Sequence, residues 1–156
     1  MNKNKIEIIP FSEENKEAIK ILNYEWLEKY FRVEEGDRES LSNPREQIID
    51  KGGFIFYATL NNEIVGTASL LKKREDVFEL GKMAVSGKVR GHGIGTILLE
   101  HCLAFAKQKG IKKLILYSNS QLESALHLYR KYGFYEIEME AGLYERADIK
   151  MEKQIL

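Results

Sequence analysis

The sequence of 156 residues predicts a mixed α/β fold. Short alternating or apolar runs bounded by turn residues indicate strands, and longer segments with apolar residues three or four apart indicate helices. Along the chain the elements follow the order strand, two helices, three strands, helix, strand, helix, two strands. The length suits one domain spanning residues 1–156, because a chain of this size buries a single core.

The N-terminal half is expected to hold four of the strands. Residues 5–9 (KIEII) alternate as a strand does, and an amphipathic helix is expected to begin near Ser12. Asn43-Pro44 opens a shorter second helix, because proline suits a first helical turn, and residues 33–39 between the two helices are expected to form a loop. Two further strands meet in a hairpin at Asn61-Asn62. The predicted strands are Phe54–Leu60, residues 63–71 and Val77–Val85.

The C-terminal half begins with a glycine-rich loop, residues 89–95 (VRGHGIG), which leads into a long helix. A buried strand is predicted at residues 113–117, and a helix at residues 122–132 that ends at Gly133, a suitable C-cap residue. Two closing strands are predicted at residues 134–138 and 143–152.

Composition excludes several classes of function. Lysine plus arginine equals aspartate plus glutamate, 24 against 24, so the protein lacks the basic field that non-specific nucleic-acid binding needs. A single cysteine, Cys102, forms no internal disulfide and no zinc ligand set, which fits a reducing cytoplasm. No segment has the length of apolar sequence expected of a secretory signal or a membrane span. The expectation is a soluble cytoplasmic protein without a metal, a nucleic-acid partner or a membrane partner.

The glycine-rich loop predicts an anion site. Glycines allow the backbone to approach a ligand, and the helix that follows directs its N–H groups and dipole to the same place. Arg90 adds a guanidinium and Thr96 a hydroxyl. A plain strand-to-helix turn is the alternative. Two nucleotide motifs do not fit, because no Gly-Lys-Ser or Gly-Lys-Thr occurs, and Thr96 and Leu98 stand where a dinucleotide loop needs its last glycine.

Two motifs carry a resemblance to a known family. The pattern Arg-x-x-Gly-x-Gly, formed by Arg90, Gly93 and Gly95, resembles the acetyl-CoA motif of the GCN5-related N-acetyltransferase (GNAT) superfamily. Residues 123–134 (ESALHLYRKYGF) resemble its second signature, and the element order matches over residues 5–153. The resemblance implies a GNAT-like fold: a mostly antiparallel sheet of about seven strands, about four helices, and a splayed strand pair that forms the CoA cleft.

The resemblance also implies a cofactor site. The backbone of Met83, Ala84 and Val85 would pair with the pantetheine arm, and an N–H near Met83 would donate to the thioester carbonyl as an oxyanion hole. His92, between two glycines, is interpreted as a spacer whose backbone matters more than its ring, and a catalytic histidine is the alternative. Leu122 stands where many members have an asparagine, so Asn119 is assigned to CoA instead. The pyrophosphate would lie on the amides of Arg90, Gly91, His92, Gly93, Ile94, Gly95 and Thr96.

Two residues are predicted to move protons. Glu79 lies on the strand before the loop, where histone-acetylating members of the superfamily carry a general base, and a partly buried glutamate suits that role. The alternative is a solvated strand glutamate. Lys82, on the same strand, would remain a cation and is a poorer base. Tyr129 matches the family tyrosine that protonates the departing thiolate, the alternative being a core tyrosine.

The predicted function is acetyl transfer from acetyl-CoA to a primary amine by direct attack in a ternary complex. A non-catalytic acyl-CoA sensor and an interaction domain without a cofactor are the alternatives. Trp26, Tyr30 and Phe31 could also line the acceptor side, but their helical spacing predicts that most of them are core. The closing strand at residues 143–152 is a candidate edge for a homodimer. Acidic residues near the acceptor side would favour a cationic amine, unless they form only a solvated loop: Glu34, Glu35, Asp37, Glu138 and Glu140.

Overall fold

The structure is a computed structural model that describes residues 5–89, 91–140 and 145–156. Its centre is a seven-stranded sheet, as predicted. The strands are β1 (Ile6–Pro10), β2 (Phe54–Leu60), β3 (Glu63–Arg74), β4 (Val77–Val85), β5 (Lys113–Ser118), β6 (Tyr135–Ile137) and β7 (Ile149–Gln154). Their order in the sheet is β1-β2-β3-β4-β5-β7-β6, and neighbours run antiparallel except for β4 and β5.

Helices cover both faces of the sheet. On β2, Ile55 and Tyr57 point to one face, where residues of the two N-terminal helices cover them, while Phe56 and Ala58 point to the other, where the two C-terminal helices pack. The helices are α1 (Ala18–Tyr30), α2 (Glu35–Ser42), α3 (Ile94–Gln108) and α4 (Glu123–Lys131), with short helical turns at Glu13–Asn15, Arg45–Ile49 and Gly87–Val89.

Three predicted boundaries differ most from the structure. The expected loop at residues 33–39 contains the start of α2, because the Asp37 carboxylate accepts a hydrogen bond from the Glu34 N–H at 3.0 Å and caps the first turn. Ser12 precedes only a short 3₁₀ turn, and α1 begins at Ala18. The last strand begins at Ile149, later than predicted; the predicted residues 143 and 144 lie outside the described residues.

The β2–β3 hairpin is confirmed at the predicted turn. Asn61 and Asn62 both have left-handed backbones, with φ of 52° and 72°. Two successive residues with positive φ match the right-handed twist of the flanking strands, and asparagine tolerates this conformation better than most residues do.

The strands β4 and β5 diverge within the sheet. Their parallel pairing runs only from Val77 opposite Lys113 to Glu79 opposite Ile115, although both strands continue beyond that point. The pairing of β4 with β3 also shifts register before Ala84, and Lys82 in that region has a φ of 51°. This bulge bends β4, and the splayed pair that the family resemblance implied is therefore confirmed.

Candidate active site

A cleft of about 550 Å³ opens where β4 leaves β5. Its walls come from α1, residues 79–85 of β4, the end of β5 and the starts of α3 and α4. Seven of the predicted site residues lie on these walls, although they come from segments far apart in the chain. They are Glu79, Met83, Ala84, Val85, Gly95, Asn119 and Tyr129.

Glu79 is buried in the cleft wall. Its exposed fraction is only 3%, and its carboxylate lies 3.1 Å from the ammonium of Lys73. A methyl group on Gly81 would come within 3.2 Å of the Glu79 carboxylate, so the glycine leaves room for that side chain. The alternative of a solvated strand glutamate is therefore wrong, and the role of Glu79 as a base stays a prediction.

Tyr129 stands on α4 at the wall of the cleft. Its ring packs edge-on against Phe134, with 5.9 Å between the ring centroids. Burial raises the pKa of the Tyr129 hydroxyl to about 12, so the group keeps its proton at neutral pH. A protonated phenol that borders a cleft has the chemistry of a general acid.

The bulged part of β4 is held by a side chain of α1. Asn23 is 4% exposed, and its Nδ2 donates to the carbonyl of Ile19 at 2.9 Å and to the carbonyl of Lys82 at 3.1 Å. Asn23 lines the cleft, yet sequence reasoning did not single it out. The available signal was a polar residue four positions after Ile19 and four before Leu27, on the buried face of the helix.

The glycine-rich loop leads into α3. Gly91 and Gly93 have φ of 85° and 70°, a conformation that side chains disfavour, and Gly93 is the N-cap of the helix. A methyl group added at Gly91, Gly93 or Gly95 would meet no atom within 4 Å. The backbone at these glycines is thus open to a ligand at the positive end of a 15-residue helix.

Other residues of this loop have distinct surroundings. His92 is exposed, and its Nδ1 lies 3.0 Å from the carbonyl of Val89, in keeping with a spacer. Ile94 is 2% exposed and packs in the core, so only its backbone can face a ligand. Thr96 is half-buried in the first turn of α3. Arg90 lies outside the described residues.

A cluster of charges forms the mouth of the cleft beside α2. The guanidinium of Arg146 donates to both carboxylate oxygens of Asp37, at 2.7 and 2.9 Å, and to Glu34 at 3.0 Å. The ammonium of Lys82 lies 3.3 Å from Asp37, which is 1% exposed. Sequence reasoning missed Arg146, because nothing local to residue 146 indicates that it reaches α2.

These contacts set the protonation of the cluster. Burial alone would raise the pKa of Asp37, but hydrogen bonds from Arg146 and the Glu34 amide, together with the charge of Lys82, hold that pKa below its ordinary value. Burial lowers the pKa of Lys82, and the charge of Asp37 opposes that change only in part.

The predicted acidic mouth is wrong for these residues. Glu34 and Asp37 are balanced by Arg146 and Lys82 within one contact network. Farther out, Glu140 pairs with a lysine of β7, Lys150, at 2.9 Å. Glu34, Asp37 and Glu140 are therefore each paired with a basic side chain and do not present unopposed negative charge.

Aromatic side chains of α1 and of its C-terminal end also line the cleft. Trp26, Tyr30 and Phe31 line the cleft, with ring centroids 6.4 Å apart for Trp26 and Tyr30 and 5.4 Å apart for Trp26 and Phe31. Tyr30 is 46% exposed. Trp26 is half-buried and packs against the core that contains Ile19 and Leu27, Phe31 is half-buried, and none of the three is fully buried, so the expectation that most of them are core is wrong.

Asn119 holds a loop at the end of β5. Its Nδ2 donates to the carbonyl of Arg146, and its Oδ1 accepts from the amide of Gln121 at 2.8 Å. Leu122, which replaces the asparagine common in the resembling family, also lines the cleft. A contact between Asn119 and CoA stays a prediction.

Outside the cleft, the described residues offer little other chemistry. Within residues 5–89, 91–140 and 145–156, no three histidine, cysteine or acidic side chains are grouped so that they could hold a metal ion. Of the helices in these ranges, none is both long and apolar enough to cross a membrane. Cys102 is fully buried in the core, and burial raises the pKa of its thiol to about 12.

Comparison with known proteins gives a family match. The family model described as "Acetyltransferase (GNAT) family" matches residues 20–134, which include β4, the glycine-rich loop and α4. An uncharacterized N-acetyltransferase of Methanocaldococcus jannaschii is 32% identical over 100 residues, covering 60% of this chain and 43% of that relative. The chain thus spans less than half the length of this curated relative.

Solved structures share the fold. A GNAT-family acetyltransferase of Staphylococcus aureus has a TM-score of 0.87 at 22% identity, covering 97% of this chain and all of that one. An N-acetyltransferase of Thermoplasma acidophilum, solved in complex with coenzyme A, has a TM-score of 0.75 at 23% identity, covering 96% of this chain and 99% of that one. At these identities the similarity concerns the fold.

Proposed function

Because this chain belongs to the GNAT acetyltransferase family, we propose that it transfers the acetyl group of acetyl-CoA to a primary amine by direct attack in a ternary complex. The observation that carries the proposal is the cleft between β4 and β5, which has the buried carboxylate of Glu79 on one element and the protonated hydroxyl of Tyr129 on another. Such a pair can accept one proton and donate another.

The residues of the cleft would divide the chemistry between them. Glu79 takes a proton from the acceptor ammonium, directly or through water, so that the amine nitrogen can attack the thioester carbon. The Met83 N–H donates to the thioester oxygen as negative charge develops there. As the new C–N bond forms and the C–S bond breaks, Tyr129 gives its proton to the departing thiolate.

The phosphates of CoA would lie at the start of α3. The open backbone at the three glycines and the positive end of the helix dipole both favour an anion at that position. The pantetheine arm would follow the edge of β4 from Val85 towards Met83, where β4 no longer pairs with β5.

The walls of the acceptor side favour a particular class of amine. The negative charges of Glu34 and Asp37 are balanced within the mouth, so a polycation finds no net negative charge in this network. Trp26 and Phe31 instead offer apolar and aromatic surface. We infer that the acceptor amine is carried on an apolar or aromatic group.

The test is release of free CoA thiol from acetyl-CoA by the purified protein. Phenethylamine and tryptamine are compared with putrescine and spermidine, and mass spectrometry confirms the acetylated product. We expect turnover, with a higher kcat/KM for the arylalkylamines. A preference for the polyamines would refute the acceptor class only.

Two outcomes would refute the proposed activity itself. Thermal stabilisation by acetyl-CoA without thiol release across the amines would indicate a non-catalytic sensor. Unfolding that excess CoA does not affect would indicate an interaction domain.

A further inference from the structure

Asn23 connects α1 to the bulge of β4. Its amide nitrogen donates within its own helix to the Ile19 carbonyl and across 59 positions of sequence to the Lys82 carbonyl. The acceptor residue Lys82 has a left-handed backbone, with φ of 51°, at the point where the register of β4 shifts. A polar side chain that is 4% exposed is thus used to hold one carbonyl of a distorted strand.

That carbonyl shares a peptide group with the Met83 N–H. The described residues contain no cis peptide bond, so the C=O of Lys82 and the N–H of Met83 lie in one plane and point in opposite directions. Because Asn23 fixes the C=O towards α1, the N–H is directed away from α1, and Met83 lies on the part of β4 that lines the cleft and no longer pairs with β5.

We propose that Asn23 is a positioning residue that orients the Lys82–Met83 peptide so that its N–H reaches the thioester oxygen. The inference rests on the proposed function, since it presumes that Met83 donates to the acetyl group. A left-handed conformation is unfavourable for a non-glycine residue such as Lys82, so the bulge needs contacts that hold it. Without the bond from Asn23, the peptide could rotate and direct a carbonyl oxygen at the developing negative charge.

The decisive variant is Asn23→Leu, which keeps a branched side chain of similar length and removes the donor. The matched control is Asn43→Leu. Asn43 also donates from Nδ2 to the carbonyl four residues earlier, at 3.2 Å from Glu39, but it is exposed and has no bond to β4. We expect kcat to fall about 10- to 100-fold in Asn23→Leu, below the effect of removing an oxyanion donor outright, with KM for acetyl-CoA within about twofold. Asn43→Leu should keep both constants.

A second measurement is independent of the acceptor. Infrared difference spectra of bound acetyl-CoA labelled with ¹³C at the carbonyl report hydrogen bonding to the thioester oxygen. In the wild type the band should lie below that of free acetyl-CoA, and in Asn23→Leu it should return towards the free position. A merely structural role for Asn23 would lower Tm without moving this band.

The outcomes separate the inference from the function. If Asn23→Leu folds, keeps the wild-type kcat and shows the thioester band at its wild-type position, the proposed role of Asn23 is overturned. A wild type that shows neither thiol release nor a lowered band would overturn the proposed function instead. If Asn23→Leu does not fold, Asn23→Ala and the Met83 amide resonance of the wild type decide the matter. In the wild type that resonance should differ between the complexes with acetyl-CoA and CoA, and in Asn23→Ala the difference should shrink; an equal difference in both proteins would refute the inference.

Discussion

Gly95 and Gly36 occupy equivalent positions, each second in its helix, in α3 and α2 respectively. At both, an added methyl group meets no atom within 4 Å, and neither glycine is among those with positive φ. Among the described residues, neither the surroundings nor the backbone conformation requires glycine at either position. Replacing glycine by alanine at a compatible site stabilises a protein by about 0.4–1 kcal/mol. For a protein of this size, Tm should rise by roughly 1–4 °C in Gly95→Ala and in Gly36→Ala.

The two variants should differ in their affinity for CoA. Gly95 lines the cleft at the start of α3, where the phosphates are proposed to lie, and Gly36 does not line it. A methyl group at Gly95 would occupy the space through which the backbone reaches the ligand. Loss of one hydrogen bond to a charged group costs about 1.5–3 kcal/mol, which corresponds to a roughly 10- to 100-fold higher Kd.

Thermal unfolding without ligand and calorimetric titration with CoA measure both effects on the same samples. The expected pattern is higher Tm in both variants and weaker CoA binding in Gly95→Ala alone. Wild-type affinity in Gly95→Ala would refute the placement of the phosphates at this glycine. Equal loss of affinity in Gly36→Ala would show that the effect is not local to the loop.

Three further substitutions test the cleft. Glu79→Gln should lower turnover about 100-fold or more through loss of the base. Glu75→Gln, on an exposed turn, should not change turnover. Wild-type turnover in Glu79→Gln would remove Glu79 from the mechanism. Tyr129→Phe should lower turnover at unchanged CoA affinity, and because its pKa is about 12 the wild type should show no loss from Tyr129 ionisation up to about pH 10. Asp37→Asn should lower the free energy of unfolding by about 3 kcal/mol in denaturant titrations, because Arg146 loses its buried partner. Because folding lowers the pKa of Asp37, the stability difference between wild type and Asp37→Asn should be fully present above the ordinary pKa of 3.8. It should disappear as the pH falls from 3.8 through the lower pKa of the folded protein, and a stability difference that is unchanged at acid pH would refute this dependence on Asp37 ionisation.

Sequence patterns predicted correctly those strands in which alternating apolar residues are bounded by turn residues. The bounds of β2 and β4 were predicted as observed, because alternating residues and turn residues define both strands. The helix α2 was missed because its sequence, EGDRESLS, contains a single large apolar residue, Leu41, and thus no periodic apolar face. Its first turn is stabilised by the Asp37 cap and by contacts with Arg146, and neither is a periodic feature.

The candidate site was also predicted only in part from the sequence. Glu79, Tyr129 and the glycines follow from motifs, and the structure brings Glu79, Tyr129 and Gly95 to one cleft. The burial of Glu79 had to come from the packed structure, because a glutamate within an alternating strand is compatible with either a buried or a solvated position. Asn23 has only the weak signal of a polar residue on an apolar helix face.

The sequence by itself determined the mixed α/β class, the glycine-rich turn before α3 and the family signatures, because periodicity, turn chemistry and motifs are properties of neighbouring residues. Only the tertiary structure decided the charge of the cleft mouth and the orientation of the Lys82–Met83 peptide. Asp37 meets Arg146 across 109 positions, and Asn23 meets Lys82 across 59. Such contacts depend on how the helices pack on a bulged strand, and no local pattern specifies that packing.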